Sequence, residues 1–159
     1  MRFKTSLGTT AKIITIVITI LFIIIIGGQY AFIKDAGKAL PIYTTVLVLI
    51  IYFLAFAYRP ITYSVESGKI TVHRLVKNIE IAKSEILSVE QIDKKLIRLS
   101  IRTFGVGGLF GYFGKFWNSK LGRMTWYATR MDKVVLVTTK SDKFILTPDE
   151  PEKFVGQLT

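Results

Sequence analysis

The sequence predicts two pieces with almost no linker between them: a helical hairpin that spans a membrane, then a small, strongly bent antiparallel β-domain of about seven strands, closed by a C-terminal helix. Three observations predict this. Two uncharged apolar runs fill the first part of the chain, short alternating runs separated by turn residues follow, and Thr147-Pro148-Asp149-Glu150 has the pattern of a helix start. Charge divides along the same line. Met1 to Tyr58 carries five basic residues and one acid, whereas Arg59 to Thr159 carries seventeen basic and ten acidic residues. A mean hydropathy of +0.43 therefore coexists with a net charge of +11.

The first apolar run extends from Ile13 to Ile33 between Lys12 and Lys34. At about 1.5 Å per residue it measures roughly 31 Å as a helix, close to the hydrocarbon thickness of a bilayer. A secretory leader would have a shorter apolar stretch and a small-residue cleavage site, and this run is too long for one. The second run, Ala39 to Tyr58, places Tyr43, Tyr52 and Tyr58 where interfacial aromatics sit. Spans of about 13–33 and 39–58 are thus expected within an anchor of residues 1–59. The connection Lys34-Asp-Ala-Gly-Lys38 has room only to turn the chain, so both ends of the hairpin should face one side. Arg2, Lys4 and Lys12 precede the first span, and Arg59, Lys69, Arg74 and Lys77 follow the second. The bias of basic residues toward the inner side then makes both termini cytoplasmic. No ionisable residue lies inside either span, which argues against a pump or channel.

Residues 60–159 form the expected cytoplasmic domain. Strand patterns run over Thr62 to Glu66, Lys69 to Leu75, Ile79 to Lys83, Ile86 to Ile92, Leu96 to Thr103, Arg123 to Arg130, Val134 to Thr139 and Lys143 to Leu146. Thr147 as N-cap, Pro148 at the first helical position and Glu150 three residues after the cap read as a capping box. Phe154, Val155 and Leu158 give that final helix one apolar face.

Gly105-Val-Gly-Gly-Leu-Phe-Gly-Tyr-Phe-Gly114, Thr125-Trp-Tyr-Ala-Thr-Arg130, Val134-Val-Leu-Val-Thr-Thr139 and Phe144-Ile-Leu-Thr-Pro-Asp-Glu-Pro-Glu-Lys-Phe154 together resemble the bacterial PH-like (pleckstrin homology) domain family over about Ile61 to Leu158. The resemblance implies a PH-like β-barrel capped by a C-terminal helix, here in a membrane-anchored member at the bacterial inner membrane. It supplies no biochemistry, since the fold hosts unrelated ligands. Eukaryotic members that grip phosphoinositides have a basic loop between their first two strands. The corresponding Glu66-Ser-Gly-Lys69 has one base and one acid, so that headgroup site is not carried over.

The glycine stretch is the most distinctive local feature. Gly105, Gly107, Gly108, Gly111 and Gly114 supply hinge positions in a long loop. A dinucleotide fingerprint would need a following helix and a suitably placed acid, and neither is present. Two readings of the neighbouring aromatics stay open. They can tuck beneath the barrel, or Phe110, Tyr112, Phe113, Phe116 and Trp117, with Lys115, Lys120 and Arg123, can form a surface that meets the membrane or a partner. Rings at headgroup depth beside cations suit anionic lipid.

Catalytic chemistry has no constellation. The chain has no cysteine, and its one histidine, His73, lies in a strand pattern without a nucleophile partner. Asp149, Glu150 and Glu152 are explained by a helix start. No cofactor or metal is expected, and tethering at the membrane disfavours nucleic acid as a partner. The expected function is therefore binding: of a protein segment or of the anionic lipid surface at the cytoplasmic face. Self-association into a membrane scaffold, or service as an accessory subunit of a membrane complex, is the alternative.

Overall fold

The computed structural model describes residues 1–32 and 39–158. The expected turn of the hairpin, Lys34 to Lys38, lies outside the described residues. Helix α1 covers Thr9–Phe32 and helix α2 covers Ala39–Ala57. Both are long and apolar enough to cross a membrane. Their apolar side chains, among them Ile16, Ile20 and Ile24 of α1 and Leu47, Ile50 and Phe53 of α2, are left uncovered by the rest of the chain. They are not the core of the β-domain, and their exposure to water would be costly. The two helices are tied by few polar contacts: Thr19 to the Tyr52 hydroxyl at 2.9 Å, and the Gln29 amide to the hydroxyls of Thr44 and Thr45.

The β-domain is an open two-sheet sandwich rather than a closed barrel. Ten strands are described among these residues: β1 (Arg2–Lys4), β2 (Thr62–Glu66), β3 (Lys69–His73), β4 (Ile79–Ala82), β5 (Ile86–Ile92), β6 (Ile101–Gly108), β7 (Gly111–Asn118), β8 (Gly122–Ala128), β9 (Val134–Thr139) and β10 (Lys143–Leu146). One sheet has the order β1-β2-β3-β4 and the other β5-β9-β10-β8-β7-β6. All pairings are antiparallel except β10 with β8, which is parallel. The expected count of about seven strands and the all-antiparallel pattern are therefore corrected. The extra strands are β1 and the pair made by the glycine stretch.

Strand β1 precedes the first apolar helix, yet it pairs with β2, Phe3 opposite Tyr63. The sandwich draws on chain from both sides of the helical hairpin. Phe3 enters the core edge-to-face with Phe154, ring centroids 5.1 Å apart, and Tyr63 packs on the same ring at 6.1 Å. Around them lie Ile70, Val72, Val135, Val137 and Leu146, all fully buried. A second cluster fills the other half of the sandwich, where Phe116 stacks on Trp126 at 4.3 Å.

Two local expectations change for identifiable reasons. The run from Leu96 does not start a strand, because the Asp93 carboxylate accepts from the Lys95 amide and caps one helical turn, α3 (Lys94–Ile97). The last helix, α4, starts at Pro151, with Glu150 at its cap, instead of after Thr147. Thr147 is engaged elsewhere. Its hydroxyl accepts the Thr129 amide at 2.9 Å, while its own amide donates to the Tyr63 hydroxyl at 3.2 Å. A buried hydroxyl committed to the sheet cannot cap a helix.

Candidate functional site

The glycine stretch is not a loop. It forms the β6–β7 hairpin, paired from Ile101 with Trp117 to Gly108 with Gly111, with Leu109 and Phe110 at the tip. Glycine is required where the two strands come closest. A Cβ on Gly105, whose φ is +106°, would lie 2.8 Å from the Gly114 Cα, and Gly114 at φ +122° meets Gly105 in the same way.

The tip docks on the helices. Phe110 has a positive φ of 58°, uncommon for a bulky residue, and several contacts hold it there. Its amide donates to the Thr15 hydroxyl at 2.9 Å, and that hydroxyl donates in turn to the Ala11 carbonyl at 2.7 Å. Its ring meets Tyr52 and Phe56 edge-to-face at 5.0 and 5.4 Å. The Arg59 guanidinium lies 4.3 Å from the Phe56 ring centroid and 5.7 Å from that of Phe110. Leu109, Phe110 and Ala55 form a small buried cluster, with Ile18, Tyr52 and Val106 packed on it. Thr15 is six residues inside α1, about 9 Å from its first residue at 1.5 Å per residue. It is also the third residue of the uncharged run, so the tip lies at the boundary between the charged and apolar parts of the helices.

Between the helix ends and the hairpin opens a groove of about 730 Å³. Ile18, Ile51 and Leu54 form one wall, and Phe104, Val106 and Phe113 face them. Two cations, Arg74 and Arg102, line it, and no acid does. Arg74 is held by its Nε donating to the Lys77 carbonyl at 2.6 Å and lies over the rings of Tyr58 and Tyr127, 5.4 Å from each. Burial pushes the Tyr127 phenol up, while Arg74 and Lys115 act in the opposite direction. The Arg102 guanidinium is exposed and has no hydrogen bond or ion pair among the described residues.

The aromatic and basic residues singled out by sequence are divided by the structure. Phe110 is buried against the helices. Tyr112 and Phe116 are buried inside the sandwich, and Phe113 is largely covered on its outer face. Lys115, Trp117, Lys120 and Arg123 are exposed. Trp117 pairs with Arg123 across β7 and β8, seven residues and roughly 23 Å from Phe110 at the hairpin tip at about 3.3 Å per residue. There the sheet borders an open depression of about 1000 Å³ lined by Lys115, Trp117, Arg123, Lys140, Asp142 and Lys143 among others. Lys115 is paired with Asp142 at 2.7 Å, and Thr125 donates to the same carboxylate at 2.6 Å. Partial burial would raise the Asp142 carboxyl, but Lys115, Thr125 and the Lys143 amide hold it below the usual carboxylate range.

Sequence reasoning did not assign Thr15, Arg59, Arg74 or Arg102 to a site. Arg59 and Arg74 entered it only as charges that orient the hairpin. The available signal was a two-residue apolar tip, Leu109-Phe110, flanked by glycines and followed by strand-like alternation.

His73 accepts or donates one hydrogen bond, to the Ser64 hydroxyl at 2.9 Å. Among the described residues no three His, Cys, Asp or Glu side chains come together in a way that could hold a metal.

Comparison with known proteins gives one positive result. A sequence model described as a bacterial PH domain matches residues 61–159. No curated protein matches the chain, and no solved structure does.

Proposed function

The chain belongs to the bacterial PH domain family, and we propose that it is a membrane-anchored binding module that presents its β-sandwich to the anionic lipid surface at the cytoplasmic face of the bacterial inner membrane. One observation carries this reading: the Leu109–Phe110 tip is buried on two otherwise uncovered apolar helices, near the point where the first uncharged run begins and the second ends. In this reading α1 and α2 span the bilayer. Strand β1 and the hairpin tip fix the sandwich to the helix ends at two places, so its orientation to the lipid is set. The positive charge flanking both helices supports an inner, cytoplasmic position for the sandwich. Phe110, Tyr112, Phe113 and Phe116 then serve as the packed support, and Lys115, Trp117, Lys120 and Arg123 as the contacting set. Each cation close to an anionic leaflet contributes about 1 kcal/mol. We propose no catalytic role.

A second reading, capture of a protein segment or of a second copy, is favoured by a different feature. Strand β6 is an open edge of its sheet, and Leu99, Ile101 and Phe104 are exposed on or beside it, at 81%, 61% and 78%. Open edges accept added strands.

Two measurements test the proposal on the full-length chain. Single cysteines can be introduced without background because the chain has none. Lys140→Cys in intact cells should resist a membrane-impermeant maleimide until the inner membrane is opened, whereas Ala36→Cys should react from outside. The reverse labelling would overturn the orientation. Hydrogen exchange in nanodiscs should show residues 115–123 better protected with phosphatidylglycerol than with phosphatidylcholine. Equal exchange, with protection of Ile101 to Phe104 appearing on addition of a partner, would favour the second reading.

A further inference from the structure

We infer that the groove between the helix ends and the β6–β7 hairpin is a binding site for one anionic phospholipid, whose phosphate is taken by Arg74 and Arg102 and whose acyl chain lies along Ile18, Ile51 and Leu54. The inference rests on the membrane-spanning reading of α1 and α2 and goes further by naming a discrete site.

Three features select this occupant. The groove is continuous with the lipid-facing surface of the helices, since Ile51 and Leu54 line it and remain about half exposed, at 49% and 46%. An acyl chain can therefore enter sideways from the bilayer and remain in apolar surroundings. Its walls offer an apolar floor with two guanidinium groups and no carboxylate, which complements a molecule having one negative end and one apolar end. The two arginines also differ usefully. Arg74 is fixed by the Lys77 carbonyl and by two rings, so little entropy is lost when it meets a phosphate. Arg102 has no partner among the described residues, so its charge is free to be neutralised.

The depth agrees as well. The hairpin tip beside the groove docks at Thr15 and Tyr52, and Arg59 marks the end of the second uncharged run. Phosphates of the inner leaflet lie at the same boundary between charged and apolar chain. A diacyl lipid with a neutral headgroup would fit the apolar wall equally well, but it would leave two cations without net compensation. The site should therefore discriminate by charge. Gly107 leaves room beside Arg102, since a Cβ there would lie 3.4 Å from that guanidinium.

Native mass spectrometry of the full-length protein in detergent tests this, with phosphatidylglycerol and phosphatidylcholine of identical acyl chains as probes. The wild type should retain one phosphatidylglycerol with about tenfold preference, a difference of about 1.4 kcal/mol. Arg102→Gln removes no hydrogen bond or ion pair among the described residues and should fold normally. It should remove most of the preference, and R74Q/R102Q should remove the rest. Leu54→Trp fills the acyl path and should lower retention of both lipids. Lys83→Gln, exposed between β4 and β5 and no part of the groove lining, should leave the preference unchanged. No preference in the wild type, full preference in R102Q, or undiminished retention of both lipids in L54W overturns the inference. Carbonate extraction separates the two levels. Release of the wild type into the soluble fraction defeats the membrane-spanning reading itself, whereas a protein that stays in the membrane but shows no lipid preference defeats only the site.

Discussion

The amide of Phe110 donates to the hydroxyl of Thr15 across 2.9 Å, joining the tip of a β-hairpin to the second turn of an apolar helix 95 residues earlier in the chain. A positive-φ residue in a tight tip has few ways to satisfy its amide once the tip is covered, and Thr15 supplies the acceptor. Thr15→Val keeps the shape and removes that acceptor. It should cost about 1–3 kcal/mol, the penalty for an unpaired buried amide, whereas Thr15→Ser should be close to neutral. Thermal unfolding in detergent, followed by near-UV circular dichroism, gives both values.

Gly105 and Gly114 face each other in the hairpin, each with positive φ and each occupying the space a partner's Cβ would need. Gly114→Val should combine backbone strain with an unavoidable clash and lower stability by several kcal/mol. Gly122, with φ +75° but open space around it, is the matched control. Gly122→Ala should carry only the conformational penalty of about 1 kcal/mol.

Strand β1 contributes Phe3 to the same packing as Phe154 on α4. Phe154→Ala should destabilise by about 3–5 kcal/mol. The loss from Phe3→Ala and Phe154→Ala together should be smaller than the sum, because edge-to-face rings couple by about 0.5–1.5 kcal/mol. Additive losses in a double-mutant cycle would show that β1 does not pack as described.

Acid sensitivity should come from carboxylates that fasten separate parts of the chain. Asp149 accepts the Ser6 amide at 3.0 Å and also the Ser6 hydroxyl, and it pairs with Arg130 at 3.2 Å. Partial burial would raise its carboxyl, but these donors hold it below the ordinary value. Arg130 likewise holds Asp132 low, chiefly through a hydrogen-bonded pair, against a smaller opposing effect of burial. A carboxyl whose folded value is depressed contributes stability above the unfolded value of about 4 and loses it as pH falls through the folded value. The unfolding temperature should therefore be flat near neutrality and drop below about pH 4. In Asp149→Asn the drop should be shallower, from a lower neutral plateau. An unchanged pH profile in that variant would show that Asp149 is not one of these fasteners.

What could be read from sequence depended on whether a signal was local. The two apolar runs and strands such as Lys69–His73 declare themselves through run length and alternation. Strand β1 is three residues, Arg-Phe-Lys, whose partner lies beyond two helices, so no local pattern marks it. The β6–β7 hairpin is disguised by its glycines, which the close approach of its strands requires but which resemble loop punctuation in a sequence. Phe110 and Trp117 are equally aromatic in the sequence. Only the docking of the tip buries the first and leaves the second 43% exposed. The lipid groove has the same origin. Arg74 and Arg102 are 28 positions apart in the chain and line one groove only after the hairpin meets the helices.

The docking of the tip on the helices is tested most directly by replacing Phe110 with a benzophenone amino acid and irradiating intact membranes. Tyr52 and Phe56 lie 5.0 and 5.4 Å from the native ring. The adduct should therefore form within the same chain, on the peptide containing residues 52–56, and mass spectrometry of the digested protein would locate it. Adducts on lipid or on another polypeptide, with none on that peptide, would contradict the docking.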